Sequence, residues 1–279
     1  MYVGISPLRI SFAGGGTDMP EYFDNFGGCV VSSTINLFTN LVFNYRHDDS
    51  FQAFSPDYEL HHKVSNFENL ELLPGTEIAV SVVKHLNYKL GADYFICSDV
   101  QPGSGLGGSS SLTVNCVNTI QKLMNKNWDE RKIAETSFDI ERNKLGYPIG
   151  KQDNYITAFG GLNLIKFSKD KVDVIPISLS NSTLDEFDNN LMLFFLGTTR
   201  KSSDVLNQQL DLIKKNDQNI MDSLRIVKDL VIELYDSLKN NDITKVAEIM
   251  HKGWTAKKKF AEGVSNEKID KIYSAGIES

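Results

Sequence analysis

The segment PGSGLGGSSS, at residues 102–111, contains four glycines and four serines within ten positions. It lies between an apolar run typical of a strand, at 93–99, and a segment whose apolar residues recur every three or four positions. Ordering so many glycines has a large entropic cost, so the segment is either a slack linker or a loop whose bare backbone binds something. Linkers are not normally bracketed by a strand and an amphipathic helix, and we therefore expect a binding loop.

A glycine-rich loop that connects a strand to a helix N-terminus is suited to bind phosphate. The unpaired N–H groups and the positive end of the helix dipole point at the loop, and glycines let phosphate oxygens approach consecutive amides. Ser109, Ser110 and Ser111 can cap the helix, and one of them can coordinate a magnesium ion bound to the phosphates. The spacing is not that of a Walker A loop, since no lysine follows, nor that of the dinucleotide fingerprint at its usual place.

Composition and charge exclude several classes of protein. The 279 residues are enough for about two domains, and the formal net charge of −7 argues against nucleic acid or an anionic membrane surface as the main partner. No apolar run is long enough to span a bilayer and the N-terminus does not read as a signal peptide, so we expect a cytoplasmic protein. We expect reduced, buried thiols at Cys29, Cys97 and Cys116.

Hydrophobic patterning predicts the main elements. Strands are predicted at Cys29–Ile35, Asn40–Tyr45, Asp93–Asp99, Gly160–Phe167 and Leu191–Gly197. Helices are predicted at Glu77–Leu90 with Gly91 as C-cap, at 112–124, Asp129–Leu145, Ser202–Lys215, Ile220–Lys239 and Ile243–Phe260, and from Asn266 onward. We place a domain boundary near residue 169, where Ser, Asn and Asp become frequent. Because the chain stops in a helical pattern with no strand after it, we expect a C-terminal domain that is cut short.

Three motifs resemble those of the GHMP kinases, the superfamily of galactokinase, homoserine kinase and mevalonate kinase. The segment 102–111 is similar to the second motif, P-x-x-x-G-L-G-S-S-A, with Gly108 in place of the first serine. SPLRISFAGGGTDMPEYFDNFGG, at 6–28, is similar to the first motif in the A-G-G-G-T-D version of the heptose phosphate kinases and fucokinase-type kinases. ERNKLGYPIGKQDNYITAFGGLN, at 141–163, resembles the segment that bears the catalytic acid, and HKGWTAKKKF, at 251–260, also resembles the heptose kinase branch.

The resemblance implies a two-domain fold, α/β followed by α+β, with ATP in the cleft between the domains. It implies an N-terminal ATP-binding domain at 1–168 and a C-terminal domain at 169–279. That second domain lacks the family's third motif, G-A-G-G-G-G-F, and is therefore incomplete. The implied activity is ATP-dependent phosphorylation of the anomeric hydroxyl of D-glycero-D-manno-heptose 7-phosphate. A fucokinase- or galactokinase-like kinase of an unphosphorylated sugar, and a catalytically silent sugar or ATP sensor, stay open as alternatives.

The resemblance also implies roles for single residues. Ser109 and Glu141 are the expected ligands of Mg²⁺, which prefers oxygen ligands. Asp153 is the expected catalytic carboxylate, Arg9 the cation near the transferred phosphate, and Lys151 a partner of Asp153. The ATP phosphates are expected on Pro102, Gly103, Ser104, Gly105, Leu106, Gly107, Gly108, Ser109, Ser110 and Ser111.

The A-G-G-G-T-D sequence is the expected sugar site. Gly14, Gly15 and Gly16 allow close approach, while Thr17 and Asp18 offer acceptors for vicinal hydroxyls. A phosphate already on the sugar needs cations at the far end of the pocket, and the candidates are Arg46, Lys84 and Arg200. The oligomeric state is left open by the sequence.

Overall fold

The computed structural model describes residues 1–196 and 202–278 of the chain. The described strands are β1 (Tyr2–Ala13), β2 (Gly28–Tyr45), β3 (Phe51–Ser55), β4 (Leu60–Val64), β5 (Ala92–Ser98), β6 (Leu162–Phe167) and β7 (Val172–Pro176). The described helices are α1 (Pro20–Phe26), α2 (Glu77–Leu86), α3 (Gly108–Leu123), α4 (Glu130–Asp139), α5 (Gln152–Phe159), α6 (Asn181–Asn189), α7 (Ser202–Lys214), α8 (Gln218–Lys239), α9 (Ile243–Lys257) and α10 (Glu267–Glu278). A π-helical turn (Ile140–Lys144) directly follows α4.

These elements form two compact units. Unit 1 consists of Met1–Ile10 and Ser33–Gly161, and unit 2 consists of Ser11–Ser32 and Leu162–Ser279. The chain passes from one unit to the other within β1 and again within β2. The expected two-domain architecture with a mixed sheet is confirmed, whereas the domain limits 1–168 and 169–279 stay a prediction.

Unit 1 is built on a mixed sheet with the strand order β4-β3-β5-β2. β3 runs parallel to β5, while β4 pairs with β3 and β2 pairs with β5 in the antiparallel sense. Tyr94 of β5 lies opposite Phe43 of β2, and its ring centroid lies 4.8 Å from that of Phe51 on β3. All three rings are completely buried, so the middle of the sheet is held by aromatic packing across neighbouring strands.

Helix α3 packs on this core with the face that the sequence predicts. That face consists of Leu112, Cys116, Val117, Ile120, Leu123 and Met124. The first turn of α3 is tied to the sheet by Ser111, whose hydroxyl donates to the Ser6 carbonyl (3.1 Å) and hydrogen bonds with the Thr39 hydroxyl (2.8 Å). The N-terminus of α3 therefore has a defined position relative to β1 and β2.

Unit 2 contains the β6–β7 hairpin, α1 and the helices α6 to α10. Its core joins Met19 and Tyr22 to Leu224 of α8. Asp217 and Asp242 stand just before α8 and α9, and each side chain accepts a first-turn N–H, which stabilises the start of the helix. In the described ranges, no helix is both long and apolar enough to cross a membrane.

Three boundaries predicted from the sequence are wrong. The segments 29–35 and 40–45 belong to the single strand β2, because Asn36 occupies an exposed position of extended chain and not a turn. Helix α2 ends at Leu86, because Asn87 takes the left-handed conformation (φ 52°) that terminates the helix, so Gly91 is not its C-cap. The helix predicted at 129–145 changes to π-helical geometry after Asp139.

Two predictions about burial are also wrong. Residues 191–196 form no strand in the described structure and their side chains are mostly exposed; Gly197 lies outside the described residues. Cys97 is exposed because it occupies an outward-facing position of β5, whereas Cys29 and Cys116 are buried as expected. Among the elements that the patterning missed, α5 matters most, because it carries Asp153.

Candidate functional site

The loop between β5 and α3 leaves its backbone accessible. Gly103, Gly105 and Gly107 have φ values of 81°, 81° and 78°, a left-handed conformation that glycine adopts readily. Gly107 is the N-cap of α3 and brings no side chain to the first turn. A Cβ at Gly108 would meet no atom within 4 Å. The first N–H groups of α3, which have no acceptor within the helix, are therefore open to an anion.

The three serines that follow do not cap α3, contrary to prediction. A capping side chain acts from the residue before the first helical one, and here that residue is Gly107. Ser109 instead donates its hydroxyl to Glu141, and the Ser110 hydroxyl supports the same carboxylate. Ser111 is completely buried and bonds to the sheet. Only the Ser109 side chain is exposed at this end of the helix.

The carboxylate of Glu141 is completely buried and joins α3 to α5. It accepts from Ser109 Oγ at 2.5 Å and from Asn154 Nδ2 at 2.6 Å. Glu141 lies in the π-helical turn, a rare geometry that is often found at functional sites. Burial raises the pKa of Glu141 to about 7, although the hydrogen bonds from Ser109 and Asn154 lower it. Asn154 Oδ1 is buried and has no hydrogen-bond partner within the described ranges.

Arg9 on β1 joins Asp153 to the glycine loop. Its Nε and Nη2 donate to the two carboxylate oxygens of Asp153, at 2.7 and 2.5 Å. Its Nη1 donates to the Gly105 carbonyl at 2.7 Å, and its backbone N–H donates to the Leu106 carbonyl at 3.1 Å. Such a bidentate pair restrains the orientation of both side chains. The structure therefore brings together the loop, the cation and the carboxylate that the sequence singles out.

Lys151 pairs with Glu135 and not with Asp153, which corrects the sequence-based expectation. Its Nζ lies 2.8 and 2.9 Å from the two carboxylate oxygens of Glu135, and Tyr155 donates its hydroxyl to the same carboxylate. Lys151 is the N-cap of α5 and Tyr155 lies one turn further, so Glu135 of α4 holds α5 at two points. The expectation failed because residues two positions apart at a helix start point in different directions.

A second arrangement, in unit 2, is formed by the A-G-G-G-T-D sequence. Thr17 is completely buried, and its hydroxyl bonds with the carbonyls of Gly14 (2.8 Å) and Cys29 (2.9 Å). A Cβ at Gly14, where φ is 85°, would lie 2.0 Å from the Cys29 carbonyl oxygen. Thr17 therefore holds the turn together and does not offer its hydroxyl to a sugar, contrary to prediction. Asp18 is 5% exposed and accepts from the Gly16 N–H at 2.9 Å.

Known proteins resemble the chain along nearly its whole length. A family model described as the GHMP kinases N terminal domain matches residues 77–161. A D-glycero-alpha-D-manno-heptose 7-phosphate kinase of Campylobacter jejuni is 32% identical, over 98% of this chain and 82% of the relative. The chain belongs to the GHMP kinase family.

Solved structures of other small-molecule kinases share the fold. The crystal structure of a D-glycero-D-manno-heptose 1-phosphate kinase from Bacteroides thetaiotaomicron matches with a TM-score of 0.80 and 25% identity, over 94% of this chain and 81% of that chain. The mevalonate kinase of Methanococcus jannaschii matches with a TM-score of 0.73 and 16% identity, over 99% of this chain and 84% of that chain. The second match shows the fold alone.

Two residues near the site of this GHMP kinase escaped the sequence analysis. The only signal for Asn154 is its position directly after Asp153, and its contact with Glu141 depends on how α5 packs. Glu135 gives no signal, because a glutamate in an amphipathic helix reads as a solvated residue. The catalytic and binding roles of Arg9, Asp153 and the loop stay predictions.

Replacing Glu141 by Gln is expected to change how the stability of the nucleotide- and metal-free enzyme depends on pH. A carboxyl whose pKa is raised in the folded state, here to about 7, binds its proton more tightly when folded. The ionisation of Glu141 therefore lowers the free energy of unfolding as pH rises from about 4.5 to about 7. Glutamine does not ionise, so the stability of E141Q relative to wild type should increase with pH, by at most about 3 kcal/mol.

Urea denaturation of both proteins between pH 5 and 8 measures this difference. A hydrogen bond lost in E141Q shifts its stability equally at every pH and does not imitate the trend. Stability curves that run parallel over the whole range would contradict the pKa assigned to Glu141.

Proposed function

We propose that this GHMP kinase is an ATP-dependent sugar kinase that phosphorylates the anomeric hydroxyl of D-glycero-D-manno-heptose 7-phosphate, giving the 1,7-bisphosphate. The arrangement of the glycine loop, Arg9 and Asp153 carries the proposal. A phosphate-binding surface and a carboxylate able to accept a proton are linked by one guanidinium. Because the proposed reaction consumes ATP, we place the protein in the cytoplasm.

The loop would hold the phosphates of ATP on main-chain N–H groups. The first turn of α3 has no acidic residue and no capping side chain, so nothing on it competes with a phosphate for those N–H groups. The exposed glycines Gly103 and Gly105 let phosphate oxygens approach the backbone. Arg9 adds a positive charge beside the loop, where it would stabilise negative charge on the transferred group.

Asp153 would accept the proton of the attacking hydroxyl. The hydroxyl oxygen forms a bond to the γ-phosphorus, the bond from that phosphorus to the β–γ bridging oxygen breaks, and ADP leaves. The proton passes to a carboxylate oxygen of Asp153. Phosphoryl transfer depends more on positioning than on covalent work, so the bidentate hold of Arg9 on Asp153 matters as much as the carboxylate itself.

Ser109 and Glu141 fit the magnesium ion that accompanies ATP. A hydroxyl and a carboxylate, already 2.5 Å apart, are the oxygen ligands that Mg²⁺ prefers, and the buried Asn154 Oδ1 adds an acceptor without a partner in the described structure. When bound, the ion would neutralise charge on the phosphates. Ser109 Oγ and the Glu141 carboxylate would hold the ion, and Asn154 would orient the carboxylate through its hydrogen bond.

The sugar is assigned from the relative in Campylobacter jejuni, whose name specifies a heptose 7-phosphate. The matching Bacteroides thetaiotaomicron structure is described as a heptose 1-phosphate kinase. An Arabidopsis thaliana bifunctional fucokinase/GDP-fucose pyrophosphorylase is 23% identical over 96% of this chain. A kinase of an unphosphorylated sugar is therefore the second candidate. Turnover with a panel of heptoses, heptose phosphates and fucose separates the two.

Replacing Asp153 by Asn is expected to lower kcat by about 10³-fold, because the amide does not accept the hydroxyl proton. The Kd for ATP should stay nearly unchanged, because Asp153 contacts Arg9 and not the N–H groups of the loop. Steady-state kinetics and calorimetric nucleotide titration measure the two effects. Asp170→Asn, at an exposed position, is the matched control and should leave both values at wild-type level. A fully active D153N enzyme would show that another group takes the proton.

Replacing Lys151 by Met is expected to lower kcat by roughly tenfold, with little change in KM, because α5 loses one of its two contacts with Glu135. Lys151→Arg, which keeps the charge, should recover most of the activity. Steady-state kinetics of K151M, K151R and D153N, measured side by side, test whether Lys151 positions α5. A loss in K151M as large as that in D153N would instead place Lys151 among the catalytic residues.

A further inference from the structure

Two nitrogen atoms lie over the glycines of the A-G-G-G-T-D turn. A Cβ at Gly15 would lie 2.8 Å from Lys257 Nζ, and a Cβ at Gly16 would lie 2.6 Å from Gln209 Nε2. Gln209 comes from α7 and Lys257 is the last residue of α9. Because the two glycines are consecutive, both nitrogens approach the same short stretch of backbone, and they can do so only where no side chain projects.

The side-chain amide nitrogen of Gln209 is a buried hydrogen-bond donor. Gln209 is 5% exposed, and its Nε2 has no hydrogen-bond partner in the part of the chain that the structure describes. The other groups close to the Gly16 Cβ position are the apolar side chains of Phe260 and Leu224. Buried donors in native proteins are nearly always paired, so an unpaired one points to an acceptor that a ligand supplies.

Lys257 lies both in the last turn of α9 and beside the glycine turn. Lysines near a helix C-terminus stabilise the negative end of the helix dipole, which favours a lysine at position 257. Lys258 Nζ lies 3.5 Å from Asp270 Oδ1, and Lys259 is exposed. Among these three lysines, Lys257 is the one whose ammonium group reaches the glycine turn.

Two of the three cations that the sequence suggested for a sugar phosphate have partners within unit 1. Arg46 pairs with Asp48 and Asp93, and Lys84 Nζ donates to the Leu70 carbonyl. Arg200 lies outside the described residues. Within unit 2, Lys257 is a cation whose ammonium group reaches the glycine turn.

We propose that Lys257 and Gln209 bind the phosphate that the sugar substrate already carries. This inference rests on the proposed function. An ammonium group and an amide N–H can donate to two oxygens of one phosphate, and a lysine acts on a phosphate as a point charge. Asp18, on the same turn, would repel the phosphate but suits the sugar hydroxyls. The subsite thereby selects a phosphorylated over an unphosphorylated sugar.

Calorimetric titration of the full chain tests the subsite in the presence of a non-hydrolysable ATP analogue. The probes are D-glycero-D-manno-heptose 7-phosphate and the unphosphorylated heptose. Lys257→Met is expected to raise the Kd of the heptose phosphate by about 10- to 100-fold, the value of a hydrogen bond to a charged group. The Kd of the unphosphorylated heptose and that of the ATP analogue should stay unchanged. Lys259→Met is the matched control and should bind like wild type.

Gln209→Leu supplies a second, independent readout. Removing a buried donor without a partner should leave the ligand-free enzyme at least as stable as wild type, while the Kd of the heptose phosphate rises about fivefold. Lys257→Arg keeps the positive charge and should bind the heptose phosphate more tightly than K257M. Thermal unfolding of each variant shows whether it is folded before it is titrated.

The outcomes separate this inference from the proposed function. Unchanged affinity for the heptose phosphate in both K257M and Q209L, with wild-type turnover intact, overturns the inference alone. An equal loss of affinity for the phosphorylated and unphosphorylated sugars also overturns it, because the subsite would then bind the sugar ring. A wild-type enzyme that phosphorylates another sugar and binds no heptose phosphate overturns the proposed function, and the inference with it.

Discussion

The buried carboxylate of Glu141 holds the proposed nucleotide site of unit 1 together. It accepts a hydrogen bond from Ser109 at the start of α3 and another from Asn154 at the start of α5. The glycine loop precedes the first of these helices, and Asp153 lies on the second. A completely buried carboxylate is costly unless it is well bonded, and burial raises the pKa of Glu141 accordingly. The same group is a natural ligand for a cation that arrives with a nucleotide.

Two further contacts complete the arrangement around α5. Arg9 holds Asp153 against the loop, and Glu135 holds Lys151 and Tyr155 one turn apart. Each of these contacts joins residues far apart in the sequence. The first turn of α5 is thus restrained from three sides, by β1, by α4 and by the π-helical turn. Such restraint is what phosphoryl transfer requires, because its catalysis depends mainly on positioning.

Local patterns in the sequence predicted the glycine loop, the apolar face of α3 and the family, since each depends on residues close together along the chain. They did not predict contacts that depend on helix packing. The partner of Lys151 was misassigned, and Glu141 was expected to bind metal without any sign that it is buried. Thr17 looked like a sugar ligand, although its hydroxyl closes a turn against Cys29. Lys257 and Gln209 approach Gly15 and Gly16 only after α7 and α9 have packed, so no local signal marks them.

In the proposed function, unpaired N–H groups at the start of α3 bind the phosphates of ATP. Hydrogen–deuterium exchange of peptides covering residues 102–111, with and without magnesium and a non-hydrolysable ATP analogue, tests it most directly. Exchange in this segment is expected to be slower when the nucleotide is bound, because those N–H groups then have acceptors. Nucleotide binding that leaves exchange in this segment unchanged, and protects another part of the chain, would contradict it.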